Sequence, residues 1–193
     1  MKLKKTTKRL IIRPLDKNDY KAWLDANTKS LPPQNPWDIK KKEKNKLTKK
    51  EFLKIIKFHK KNLKEDEAYH FALFLKKNGS YIGIMSLMSV TRNIFQNAFL
   101  GYFIFNNHWR QGYAKEAGMA ILKIAFNELN LHRVEAAINP KNKPSIALAN
   151  SLGLTKKYLS RKHLYTDKKW NDFMIYAATS EEFGIKWKAV KKA

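Results

Sequence analysis

The chain has no cysteine in its 193 residues. Disulfides, thiolate nucleophiles and zinc–thiolate sites are therefore excluded, and no metal site is expected. Arginine is scarce. Of 40 basic residues, Arg9, Arg13, Arg92, Arg110, Arg133 and Arg161 make six, and lysine supplies the other 34. Acidic residues number only 16, which leaves a net charge of +24. No apolar run approaches the roughly 20 residues that cross a bilayer. The basic start, Met1 to Arg9, is followed only by Leu10-Ile11-Ile12 before Arg13 and Pro14, too short an apolar region for a signal peptide. A cytoplasmic protein without membrane partners is expected.

What is present is a core. Hydrophobic residues make up 44% of the chain, with 11 Phe, 8 Tyr and 5 Trp. That is ample for one packed domain of this size. The positive charge favours anionic partners such as RNA or the ribosome through long-range attraction. Yet the scarce residue, Arg, is the one best suited to bidentate phosphate contacts. A biased composition explains the lysines equally well, and both readings stay open.

Residues 101–118 are the most informative stretch. A β-like run from Leu100 to Phe105 leads through Asn106-Asn107-His108 to Trp109-Arg110-Gln111-Gly112-Tyr113-Ala114. Then Ala114, Ala117, Gly118, Ile121, Leu122, Ala125 and Leu129 recur at helical spacing, predicting a helix from about Tyr113 to Asn130. A strand feeding a Gly-containing loop that opens a helix suits a phosphate, because the first helical amides lack internal partners and the dipole is positive there. An ordinary strand–helix turn has the same local features.

The other elements are read similarly. Thr7 to Arg13 predicts a first strand ended by Pro14, and Asp16 with Asp19 opens a helix carrying Tyr20, Trp23 and Leu24. Three prolines in Leu31-Pro32-Pro33-Gln34-Asn35-Pro36 impose a loop, with Trp37 expected in the core. Thr48 and Glu51 form a capping box before an amphipathic helix whose apolar face is Phe52, Ile55, Ile56, His59 and Leu63. Tyr69–Leu75 and Tyr81–Val90 form a hairpin around Asn78-Gly79. Ala98–Phe105 and Val134–Ile138 are further strands. A helix runs from Pro144 to Gly153, and Lys157–Tyr165 pairs with Trp170–Ala177 in a closing hairpin. One mixed α/β domain over 1–180 is expected, followed by a Lys-rich tail over 181–193.

In this order the residues resemble the GNAT superfamily of acetyl-CoA-dependent N-acetyltransferases, and within it the RimJ/RimL-like ribosomal-protein N-terminal acetyltransferases. The likeness covers about residues 7–180. It rests on Thr7 to Pro14, Leu100-Gly101-Tyr102, Trp109 to Ala114 with Glu116-Ala117, His132-Arg133, Asn139 to Ser145, Leu152-Gly153-Leu154 and Trp170-Asn171-Asp172. Arg92 to Ala98 is similar to the RimJ branch in particular.

The resemblance implies a mostly antiparallel sheet, splayed at its middle strands and flanked by helices. It places the coenzyme A pyrophosphate on Arg110, Gln111, Gly112, Tyr113, Ala114 and Lys115. Backbone groups of Tyr102, Phe103, Ile104 and Phe105 would pair with the pantetheine arm and stabilise the oxyanion. Trp109 stands where the family pattern usually begins with Arg or Gln. Many members protonate the leaving thiolate from a Tyr seven residues after the Asn matched by Asn142, but that position is Ala149. Ser145 matches the serine of the RimL-like branch and is the candidate acid; Asn142 would hold the pantetheine arm or cap the helix. No carboxylate is found for the base on the strand before the closing hairpin, leaving His163 as a candidate, and Asp172 would orient backbone or substrate.

The implied function is transfer of acetyl from acetyl-CoA to a protein N-terminal α-amine, with a ribosomal protein or the ribosome as partner, by direct attack through a tetrahedral intermediate. A small-amine acetyltransferase and a non-catalytic acyl-CoA- or RNA-binding protein are the alternatives. A monomer or homodimer is expected.

Overall fold

The computed structural model describes residues 3–189; the last four residues of the expected tail lie outside them. Eight strands form one sheet: β1 Lys5–Thr6, β2 Leu10–Arg13, β3 Ala68–Leu75, β4 Tyr81–Thr91, β5 Asn97–Ile104, β6 Arg133–Ile138, β7 Thr155–Thr166 and β8 Lys169–Thr179. Their order is β1-β2-β3-β4-β5-β6-β8-β7. Every pair is antiparallel except β5 with β6. The helices are α1 Tyr20–Lys29, α2 Lys49–Lys64, α3 Tyr113–Lys123 and α4 Lys143–Ser151.

Strand alternation assigns the two faces. Phe71, Leu73 and Leu75 of β3, with Leu100 of β5 and Val134 and Ala136 of β6, pack on Ala117, Ile121 and Leu122 of α3 and Ala149 of α4. Ala72 and Phe74 of β3, with Phe105, pack on Trp23 of α1 and Phe52 and Ile56 of α2. The expected mixed α/β fold is present.

Several local expectations change. The first strand is broken: Thr7 turns back to Leu10, and the Thr7 hydroxyl and the Arg9 amide donate to Glu116 of α3. The reciprocal capping box occurs at Asp16 and Asp19, which also takes a bidentate bond from Arg13. Thr48 caps α2, but the Glu51 side chain turns to Lys54. Trp37 is 43% exposed, because the loop carrying it is pinned to the surface by Asn106, which bonds to Leu31, Pro32 and Asp38. The long helix predicted to Asn130 ends as α-helix at Lys123 and continues as a π-helix, Ile124–Glu128. The wider turn lets Ile124, Ala125 and Phe126 all be buried, three consecutive residues that one stripe of an α-helix does not cover. The segment after β8 packs back onto the domain, with Phe183 and Ile185 against the core and Trp187 Nε1 donating to Asn130 O at 2.9 Å.

Candidate active site

The feature that positions the site is a parting of two strands. β5 pairs with β6 only at Asn97–Arg133, Ala98–Val134 and Phe99–Glu135. Beyond Phe99 the strands diverge, while β5 stays paired to β4 as far as Gly83–Ile104. Phe105 N donates to Ile82 O at 2.9 Å. By the two-residue alternation of an antiparallel ladder, Phe103 and Gly101 also face β4, whereas Tyr102 and Ile104 face the gap. Trp109 Nε1 donates to Ile104 O at 2.6 Å, which agrees with that orientation. Of the four residues whose backbone was expected to be open, Tyr102 and Ile104 present an N–H to the gap.

At the mouth of the gap lies the Gly112 loop. Gly112 has φ 77°, a left-handed conformation that other side chains resist, and Arg110 shares it at φ 57°. Gly112 precedes α3 and supplies no side-chain cap. The amides of Gln111, Gly112, Tyr113, Ala114 and Lys115 find no acceptor among the described residues; the first internal bond is Glu116 N to Gly112 O. Five outward amides at a positive helix end are a cradle for an anion. Arg110 and Lys115 are exposed beside it.

Arg9 holds this loop from behind, a role that no local pattern in the chain announces. Its Nη1 donates to Gln111 O at 2.8 Å, its Nε bonds Glu116 at 2.6 Å, and the guanidinium lies 4.5 Å from the centre of the buried Tyr113 ring. Thr7 Oγ1 donates to the same carboxylate at 2.6 Å. Burial opposes the charged form of Glu116, but the bonds from Thr7 and Arg9 outweigh it and hold the carboxyl below its usual range.

Across the gap is the first turn of α4. Asn142 Oδ1 accepts from Ser145 N at 3.2 Å, so this asparagine caps the helix. Ser145 is half-buried on that turn. Ala149, where many relatives in the family carry tyrosine, is buried against the core. A phenol reaches α4 from the opposite side instead: Tyr102 Oη donates to Ser145 O at 3.2 Å. Burial pushes the Tyr102 phenol up, so it remains protonated at neutral pH.

The other face carries a carboxylate missed in the sequence. Glu135 stands opposite Phe99 at the last pairing before the strands part. Strand alternation turns it away from Val134 and Ala136, toward the α1/α2 face. It is buried, with Oε1 2.5 Å from Arg133 Nε. The signal was the Arg133-x-Glu135 spacing, which puts both side chains on one face of a strand. His163 comes to the same region from β7, 6.4 Å from Phe99 between ring centres, with Nδ1 3.0 Å from Ser160 Oγ. Asp172 takes the Lys162 amide at 2.8 Å, fixing the bulge that presents His163.

A parted β5–β6 pair with an uncapped helix N-terminus at its mouth accompanies a family match. Residues 9–155 match the acetyltransferase (GNAT) domain model. This chain belongs to the GNAT acetyltransferases. It is an acetyl-CoA-dependent N-acetyltransferase. Among curated relatives, the enzyme is 35% identical over 124 residues to the probable N-acetyltransferase YjcK of Bacillus subtilis, covering 64% of this chain and 68% of that one. It is 26% identical to the [ribosomal protein uS5]-alanine N-acetyltransferase of Escherichia coli over 94% of this chain and 93% of that one. Mycobacterium smegmatis RimJ in complex with CoA-disulfide shares the fold at TM-score 0.77 and 22% identity, covering 93% and 88% of the two chains. Among the described residues of this acetyltransferase, no helix is long and apolar enough to cross a membrane.

Proposed function

We propose that this acetyltransferase modifies the N-terminal α-amine of a protein, a ribosomal protein in the first instance. What carries the reading is a similarity to the uS5-alanine acetyltransferase that runs over nearly the whole of both chains. The basic surface suits a ribosomal partner.

The residues present fit acetyl-CoA. The amides from Gln111 to Lys115 would hold the pyrophosphate, with Arg110 and Lys115 adding charge and Arg9 fixing the loop. Tyr102 and Ile104 would pair with the pantetheine arm, and a β5 amide at the divergence would stabilise the oxyanion. When bound, acetyl-CoA supplies the activated acetyl group.

The chain's own groups then move protons. An α-amine has an ordinary pKa near 8, so at neutral pH much of it is protonated. Glu135, on the acceptor face where the strands part, takes that proton directly or through a water. The freed lone pair attacks the thioester carbonyl, forming the C–N bond and a tetrahedral oxyanion. Collapse of that intermediate breaks the C–S bond, and the proton shed by the nitrogen ends on the departing sulfur. Ser145 donates a hydrogen bond to the departing sulfur. Tyr102 braces the Ser145 turn. His163 walls the acceptor side.

The test is direct. Purified enzyme is incubated with acetyl-CoA and separately with N-terminal peptides of ribosomal proteins and with polyamines or aminoglycosides, and products are weighed by mass spectrometry. Acetyl on the peptide α-amine is the expected product. Turnover of the small amines alone would sink this reading.

A further inference from the structure

One strand further from the parting, a row of polar side chains ends beside Gly101. Asn62 of α2 is buried, with Nδ2 3.1 Å from His70 Nε2. His70 Nδ1 lies 2.8 Å from Ser86 Oγ. Ser86 is buried too and sits opposite Gly101 in the β4–β5 ladder. Gly101 is two residues past the last β5–β6 pair, on the face that also carries Phe99 and Glu135. The methyl of Met88 lies over it, since a Cβ at Gly101 would stand 2.4 Å from that atom. His59 stacks on His70 with ring centres 4.0 Å apart, and exposed Phe58 flanks both. None of these polar groups touches the Gly112 loop or the Ser145 turn.

The chain of bonds has a direction. An amide N–H facing a ring nitrogen requires that nitrogen to accept. A neutral His70 then carries its proton on Nδ1 and donates it to Ser86 Oγ. The hydroxyl's own proton is left without an acceptor, because His70 Nδ1 is the only partner of Ser86 Oγ among the described residues. Burial lowers the His70 pKa. Burial first, and then the neighbouring His70, lowers His59 to about 4. Both rings are therefore neutral at pH 7. The groups facing His70 are His59 and Asn62 from α2 and Ser86 from β4; Asp66, four residues before it, is engaged by Arg92 and Tyr69.

We propose that Asn62, His70 and Ser86 form a one-way hydrogen-bond chain whose last donor, the Ser86 hydroxyl, binds the carbonyl oxygen of the acceptor's first residue. This rests on the reading of the acceptor as a protein N-terminus, where that carbonyl oxygen lies two bonds from the α-carbon that bears the amine, within the same residue. A buried donor without an acceptor costs free energy that a carbonyl recovers. A polyamine has no such oxygen. A site built to hydrogen-bond a group discriminates strongly against an analogue that lacks it. The row thus selects peptides, while Glu135 serves the amine.

The experiment compares two acceptors: a peptide with a free N-terminus and the same peptide with its first amide replaced by an alkene isostere, which keeps the shape and removes the oxygen. The parent should prefer the amide by about five- to tenfold in kcat/KM, the worth of one hydrogen bond. In Ser86→Ala that preference should fall to near one, with the KM for acetyl-CoA unchanged, and Ser86→Thr should retain it. An equal preference in parent and Ser86→Ala, with the peptide still acetylated, overturns the chain and leaves the protein-acceptor reading standing. A parent that acetylates no peptide overturns both. If Ser86→Ala does not fold, nitrogen-15 NMR of the parent decides: His70 should be the Nδ1–H tautomer at pH 7, and an Nε2–H tautomer rejects the proposed direction.

Discussion

At the scale of single residues, the two ends of the reaction separate into different substitutions. Ser145→Ala should lower turnover at least about tenfold while acetyl-CoA affinity, measured by calorimetry, stays nearly unchanged. Equal turnover in the variant would remove Ser145 from its role. Glu135→Gln should lower kcat/KM by about 10²- to 10⁴-fold at pH 7. The loss should shrink as pH rises past the pKa of the acceptor amine, which then arrives deprotonated. A loss that is the same from pH 6.5 to 9.5 would mark Glu135 as structural. His59 gives a stability prediction. Its folded pKa, about 4, is below the ordinary 6.5, so the unfolded chain binds more protons between these values. The stability it contributes is complete above pH 6.5 and lost as pH falls toward 4. The melting temperature of the parent should therefore drop from pH 7.5 to 4.5, and His59→Phe should drop less.

At the scale of elements, the Gly112 loop is where local geometry and ligand affinity meet. A β-carbon at φ 77° is strained, and at Gly112 it would also stand 3.3 Å from Arg9 Nη2. Gly112→Ala should weaken acetyl-CoA by about five- to thirtyfold, from roughly 1–2 kcal/mol of left-handed strain. Unchanged affinity would mean the loop does not hold the pyrophosphate. This loop was legible in the sequence because its signal is local: one glycine, a strand before it and a 3.6-residue period after it. Asn142 was legible as a cap for the same reason. Glu135, Arg9 and the Asn62–His70–Ser86 row were not. Arg9 acts through Glu116 of α3, 107 residues away, and Glu135 and Ser86 owe their places to the strands beside them; periodicity does not report which elements become neighbours. The failed expectation for Trp37 has the same origin, since Asn106 is what holds its loop at the surface.

At the scale of the whole molecule, charge and the divided sheet matter most. With a net charge of +24, association with ribosomes should fall steeply as salt rises over roughly 50–200 mM, whereas acetylation of a short neutral peptide should change little. Co-sedimentation read beside peptide turnover checks this, and ribosome binding that is indifferent to salt would contradict it. The sheet itself is two plates, β1 to β5 and β6-β8-β7, joined along only three residue pairs. A molecule lying in the gap would act as a strut between them, so the empty enzyme should breathe about that short seam. Hydrogen exchange at the Tyr102 and Ile104 amides should slow on adding coenzyme A, and the two plates should then melt as one body at a higher temperature.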